Sequence, residues 1–169
     1  MPELEQVRIV ARSQISDLAS EAETAARRRT HLLLHSGPQD QVQRLMIVLQ
    51  PGSYIRPHHH SQQWELLVLL QGRGNLLSFD GSGCLADRVE LSRSAQVAQI
   101  PAGVWHGFVV LEKDTAVLEI KPGPYRPNEF ADWYRVCPGF SRITLVRLPP
   151  LAEREVALQP IQHPPSEKC

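Results

Sequence analysis

Cysteine is scarce in this 169-residue chain: Cys84, Cys137 and Cys169 are odd in number, widely spaced and form no CxxC pair. That argues against a disulfide framework and against a cysteine–zinc site, and it suggests a reducing compartment. Charge of one sign is missing as well, with 18 Lys+Arg against 18 Asp+Glu. A balanced chain gives no electrostatic reason to expect nucleic acid or an anionic membrane as partner. No apolar run approaches the roughly 18 residues of a membrane span. The opening Met-Pro-Glu-Leu-Glu-Gln has neither a basic n-region nor an apolar h-region, so no secretory signal is expected and a cytoplasmic setting is. Gly72-Arg-Gly74 lacks the third glycine of a dinucleotide loop and follows no βαβ pattern. With no GxSxG and no P-loop, a serine or cysteine nucleophile has no support, and no helix-turn-helix segment suggests a regulator.

What is present suits one domain with a real core. Residues 16–29 read as a helix: they are Ala-rich, hold no Gly or Pro, carry Ser16 or Asp17 as a cap, and end on Arg27-Arg28-Arg29. The arginine run itself reads as a solvated helix end or an anion contact. Then short apolar runs recur at residues 31–35, 42–50, 54–60, 64–71, 75–79, 85–91, 97–100, 105–111 and 115–121. Each is of strand length, and turn residues such as Asp80-Gly81-Ser82-Gly83 and Glu112-Lys113-Asp114 divide them. The fold expected is mainly β, an antiparallel sandwich or barrel with an N-terminal helix. Residues 1–30 would form the helical segment packed on it, 31–148 the barrel, and 149–169 a Pro-rich tail. A short helical piece at 129–135 and a last strand at 143–148 are further expectations.

The chemistry concentrates in Gly52-Ser-Tyr-Ile-Arg-Pro-His58-His-His60-Ser-Gln-Gln-Trp-Glu65 and in Pro101-Ala-Gly103-Val-Trp-His106. On an extended segment His58 and His60 share a face, while His59 points the other way. A turn at Ser61-Gln62-Gln63 can bring Glu65 back beside them, and His106 would have to come from a neighbouring strand. Three neutral imidazoles and one carboxylate suit a divalent ion such as Fe, Mn, Ni, Co, Cu or Zn, with a net charge of about +1 and two positions left open. Read alone, a His-x-His pair or a three-histidine run is equally at home on a solvated strand or loop.

Gly52-x5-His58-x-His60-x4-Glu65-x6-Gly72 resembles the first cupin motif at every defining position, and Pro101-x-Gly103-x2-His106 resembles the core of the second. Ala95 stands where the second motif would open with Gly, and Val110 where it would close with Asn. A narrower resemblance, to the WbuC family of cupin-fold metalloproteins, rests on His31-Leu-Leu-Leu-His35, Asp40-Gln-Val-Gln-Arg44-Leu, Pro51-Gly-Ser-Tyr54, Phe79-Asp80 and Glu119-Ile-Lys121-Pro-Gly-Pro-Tyr125. It covers about residues 16–140. The resemblance implies a double-stranded β-helix (jelly-roll) barrel holding one divalent metal on His58, His60, Glu65 and His106. It also implies a frequent setting among genes for surface polysaccharide, and no settled reaction.

Strand parity places Tyr54 and Arg56 on the face of His58 and His60, so Arg56 would look into the barrel and meet an anionic substrate or a carboxylate such as Glu119. Phe108 would add an apolar wall, and Lys121 and Tyr125 would stand at the barrel mouth. Tyr54, Arg56, Phe108, Lys121 and Tyr125 are therefore the expected substrate-binding residues. Trp64 and Trp105 precede ligands and should point away from the metal. Three functions compete. One is a metalloenzyme (isomerase, epimerase or oxygenase) on a small polar or sugar-derived molecule. The second is a non-catalytic ligand-binding or sensing barrel. The third, a metal-free sugar epimerase, is disfavoured by retention of all four ligands. A homodimer is expected from the need to cover sheet edges.

Overall fold

The structure, a computed structural model, describes residues 7–53 and 55–131. Among the described residues one helix, α1 (Arg12–Thr24), precedes ten strands: β1 (Arg29–Leu33), β2 (Val42–Leu49), β3 (His58–His59), β4 (Glu65–Gln71), β5 (Gly74–Phe79), β6 (Leu85–Leu91), β7 (Val97–Ile100), β8 (Trp105–Val110), β9 (Thr115–Pro122) and β10 (Glu129–Phe130). They form two five-stranded antiparallel sheets, in the orders β1-β2-β9-β4-β7 and β10-β3-β8-β5-β6. Strand alternation decides what each sheet buries. Ile47 and Leu49 of β2, Leu67 and Leu69 of β4 and Val117 of β9 meet Phe108 and Val110 of β8 between the sheets. The next residues in parity, Val48 and Ala116, face outward and pack under α1 against Ala19, Ile15 and Leu18. Ala19 and Val48 are small enough to let the helix lie close on the sheet. Thr30 Oγ1 donates to Leu18 O (2.9 Å) and Gln50 Nε2 to Ala19 O (3.0 Å), which fastens it there.

Two expectations need correction. The helix starts four residues earlier than Ser16 and stops at Thr24, so Ser16 is not its cap and the arginines do not fill its last turn. Ser16 Oγ and Ser20 Oγ instead bond back to Arg12 O and Ser16 O (3.1 Å each) within the helix, the local pairing that competes with capping. The start is fixed at Ala11, whose N–H donates to Gln14 Oε1 (3.1 Å). Arg28 adopts φ 55°, which turns the chain out of the helix and into β1. The second correction concerns residues 129–135: Glu129 and Phe130 form β10, pairing with His59 and His58. The remainder of that segment past Ala131, the strand expected at 143–148 and the tail from 149 lie outside the described residues. Among the described residues no helix is long and apolar enough to cross a membrane.

Candidate metal centre

β3 and β8 meet at a single register pair, His58 opposite His106. Cross-strand neighbours share a face, so the two imidazoles converge, with ring centroids 4.4 Å apart. Each ring is locked from behind: His58 Nδ1 lies 2.9 Å from Arg56 O and His106 Nδ1 2.9 Å from Val104 O. A carbonyl can only accept, so Nδ1 carries the proton in both and Nε2 is left with its lone pair turned inward. That is the outer-shell arrangement by which metal-binding histidines are oriented. His60 arrives from the end of β3, and Gly103 N–H donates to His60 O (2.8 Å), which docks the Pro101-Ala-Gly103 turn onto the histidine segment. Glu65, the first residue of β4, faces inward with Leu67 and Leu69.

The four side chains are all buried, and one donor atom from each lies within 4.8 Å of every other. Octahedral ligands about 2.1 Å from a first-row ion stand roughly 3.0 to 4.2 Å apart, so the set closes on one ion with little adjustment. His60 Nε2 is 2.9 Å from Glu65 Oε2, and His106 Nε2 is 3.8 Å from Glu65 Oε1. His106 Nε2 is buried without a hydrogen-bond partner. An unpaired buried acceptor aimed at a carboxylate and two further imidazoles is what a cation would satisfy. Burial and the neighbouring His106 lower the pKa of His58 to about 3. Burial also lowers that of His106. Burial pushes the Glu65 carboxyl up, but the His60 hydrogen bond and the pull of neighbouring His106, Lys121 and His58 outweigh it and hold it at about 2. Neutral imidazoles and an ionised carboxylate are the protonation states a divalent ion requires.

His59 is held away from the cluster, as parity requires: it stacks on Trp105 (4.1 Å between centroids) and its Nε2 lies 3.2 Å from Glu129 Oε2. Trp64 is 41% exposed and outside the site, as expected. Phe108 lines the small inner cavity with His58, Glu65 and His106, so the apolar wall is present. Arg56 departs from expectation. Residues 55–57 are not strand, so strict alternation fails before His58. Its guanidinium donates through Nε and Nη2 to Ala131 O (3.2 and 2.7 Å) and lies 5.2 Å over the Phe130 ring. Arg56 borders an outer cavity that it shares with His58, rather than the barrel interior. Tyr54 lies outside the described residues.

Glu119 does not serve Arg56. It pairs with Lys121, Nζ to Oε1 at 2.7 Å, and Lys121 Nζ also stands 3.9 Å from Glu65 Oε2. β9 carries Val117, Glu119 and Lys121 inward by alternation, so the apolar interior grades into an ionic mouth beside the ligands. Burial and the Glu65 charge raise the pKa of Glu119 against the pull of Lys121. Burial would lower that of Lys121, but Glu119 and Glu65 raise it on balance. Lys121 thus braces the Glu65 carboxylate. Tyr125 is 55% exposed and borders a cavity of about 260 Å³ with Leu33, His35 and Lys121. The Lys-Pro-Gly-Pro-Tyr string acts as a clasp: Gly123 N–H donates to Gln41 O (2.7 Å), Tyr125 N–H to Pro38 O (2.6 Å), and Gln63 Nε2 to Pro124 O (3.1 Å). Two residues bordering the centre escaped the sequence reading, Phe130 and Glu119 in its pairing with Lys121. The parity of Val117, Glu119 and Lys121 could have revealed the second.

The departures from the cupin motifs do not touch the centre. Ala95 exchanges backbone hydrogen bonds with Ser92 (3.1 Å each) in a turn that needs no positive φ. Val110 is a core residue opposite Gly74. Residues 10–91 match the family described as a domain of unknown function, DUF6016. No curated protein matches the chain. A solved structure from Bacillus halodurans is 20% identical with a TM-score of 0.52, over 76% of this chain and 87% of that one. A cupin 2 domain-containing protein from Halorhodospira halophila is 14% identical with a TM-score of 0.52, over 62% and 70%. KdgF from Halomonas sp. is 19% identical with a TM-score of 0.48, over 61% and 85%. The likeness to the Halorhodospira protein speaks for the fold alone, and it agrees with the two packed antiparallel sheets: the chain is a cupin-fold jelly roll.

Proposed function

We propose that this cupin binds one divalent first-row metal ion through His58, His60, Glu65 and His106 and acts as a metalloenzyme on a small polar or sugar-derived molecule. The observation that carries the reading is His106 Nε2, buried without a hydrogen-bond partner yet aimed at a carboxylate and two other imidazoles. Bound there, the ion would supply Lewis acidity toward a carbonyl or hydroxyl oxygen. The chain's own groups prepare the place. The carbonyls of Arg56 and Val104 hold two imidazoles in the ligating tautomer, and Lys121 keeps Glu65 ionised and oriented. Phe108 and Leu67 exclude water from the inner side.

The sequence resemblance to WbuC proteins supports a setting in surface polysaccharide synthesis, the scarce, unpaired cysteines support a cytoplasmic one, and the open sheet edges support a homodimer. The test is elemental analysis of tag-free protein, followed by incubation with sugar nucleotides and sugar acids and analysis of products. One equivalent of metal and a metal-dependent product are expected. A ligand that binds and returns unchanged would make the barrel a sensing module. Full turnover by metal-free His58→Ala protein would overturn the reading.

A further inference from the structure

A cavity of about 390 Å³ opens beside the metal centre, and three arginines from two parts of the chain line it: Arg27 and Arg29 from the segment after α1, and Arg56 from the loop before β3. His58 is in the same wall, so the cavity reaches a ligand of the proposed metal. Backbone contacts place the arginine run beside the histidine segment. Ser53 Oγ donates to Arg27 O (3.1 Å) and Gln50 N–H to Arg28 O (2.9 Å), which ties the arginine run to the turn that leads into the histidines. Arg56 is fixed by its two hydrogen bonds to Ala131 O and by Phe130 beneath it. Ile55 and Phe130 give the same cavity an apolar side. Three guanidinium groups turned to one concave surface make it electropositive, and the proximity is felt: burial and Arg27 lower the pKa of Arg29.

We propose that this cavity is an oxyanion site: it takes the carboxylate or phosphate group of the molecule whose other end reaches the centre at His58. Guanidinium groups supply paired N–H donors matched to either oxyanion, and Phe130 and Ile55 would cover the ligand's carbon frame. The arginine run, read from the sequence as a solvated helix end or an anion contact, is thereby part of the ligand site. The inference rests on the metal reading only for where the ligand's far end lies; the anion cradle itself needs no metal.

The test is calorimetric titration of the full chain at low salt, both stripped of metal and dialysed and after reloading. The probes are inorganic phosphate, malonate and, as a neutral control, methyl glucoside. Phosphate or malonate should bind both forms at millimolar Kd or tighter, the tighter of the two naming the anion, and the glucoside should not. Arg27→Gln and Arg29→Gln should each weaken binding roughly tenfold, while Arg29→Lys keeps most of it. Arg27 is exposed and contributes only its carbonyl to the fold, so its variant folds as the parent does. Phosphate binding by protein that takes up no metal would support the cradle while removing the metal reading alone. One metal ion per chain, with anion affinity unmoved in both glutamine variants, would overturn the cradle and leave the metal reading. No anion binding in either form would overturn it as well.

Discussion

His58 and His106 face each other across β3 and β8, and each gives its Nδ1 proton to a carbonyl two residues earlier in its own chain segment. Two strands from distant parts of the sequence therefore present the same nitrogen to the same point. If that point holds a metal, either His58→Ala or His106→Ala should lower bound metal from about one equivalent to near zero by mass spectrometry. His59→Ala should leave it unchanged, because His59 turns to Trp105 and Glu129. Equal loss in all three variants would mean that the run binds metal loosely and not as this geometry requires.

Removing the metal should expose a pH dependence. His58 sits at about 3 in the folded chain against 6.5 when free, because of burial and His106. Below pH 6.5 the unfolded chain takes up the proton first, so this histidine's contribution is complete above that value and lost as pH falls toward 3. Glu65, near 2 against 4.5, loses its contribution in the same direction but lower, between 4.5 and 2. The stripped protein should thus melt roughly 5 to 10 °C lower at pH 5 than at pH 7. His58→Phe should flatten that slope. A melting temperature independent of pH in the stripped parent would contradict the buried, neutral imidazole.

Most of the barrel was legible because alternation and turn residues are local signals. Nine apolar runs became β1 to β9, two with unchanged bounds, Leu85–Leu91 and Val97–Ile100. The cluster of His58, His60, Glu65 and His106 was legible from parity, which separates His59 from His58 and His60, together with the cupin resemblance. The reading failed where the chain left the strand state. Arg56 was assigned by alternation, but the extended ladder begins only at His58, so its direction was set by Phe130 and Ala131, far away in sequence. Likewise, the helix stops at Thr24, where no Gly or Pro marks the end, and the positive φ at Arg28 has no sequence signature.

Lys121 should matter to stability more than its distance from any ligand position in the sequence suggests. It is 6% exposed and lies between Glu119 (2.7 Å) and Glu65 (3.9 Å). Lys121→Met leaves the buried Glu65 and the largely buried Glu119 without the cation between them, a loss of about 3 to 5 kcal/mol for breaking one partner of a buried ionic cluster. Adding Glu119→Leu should restore most of it, since the second variant removes the uncompensated charge. Urea denaturation of the metal-free protein measures both, and a single variant as stable as the parent would show that the cluster is solvated.

The two glycines that frame the first histidine motif should differ in cost. Gly52 has φ 91° and Gly72 φ 81°, so alanine is strained at both. At Gly52 an added Cβ meets nothing within 4 Å, and only the backbone penalty of about 1 to 2 kcal/mol applies. At Gly72 the same atom would stand 2.7 Å from Thr115 Cα and collide with Thr115 Oγ1. That hydroxyl donates to Glu112 O (2.7 Å) and accepts from Arg73 N–H (3.3 Å), closing the turn between β8 and β9. Thr115 cannot yield without moving the start of β9, the strand that carries Glu119 and Lys121 to the centre. Gly72→Ala should therefore cost roughly 3 kcal/mol or more, with broadened amide signals at Glu119 and Lys121, while Gly52→Ala leaves those signals in place. Equal destabilisation by the two would mean that backbone conformation alone, and not the approach of Thr115, decides these positions.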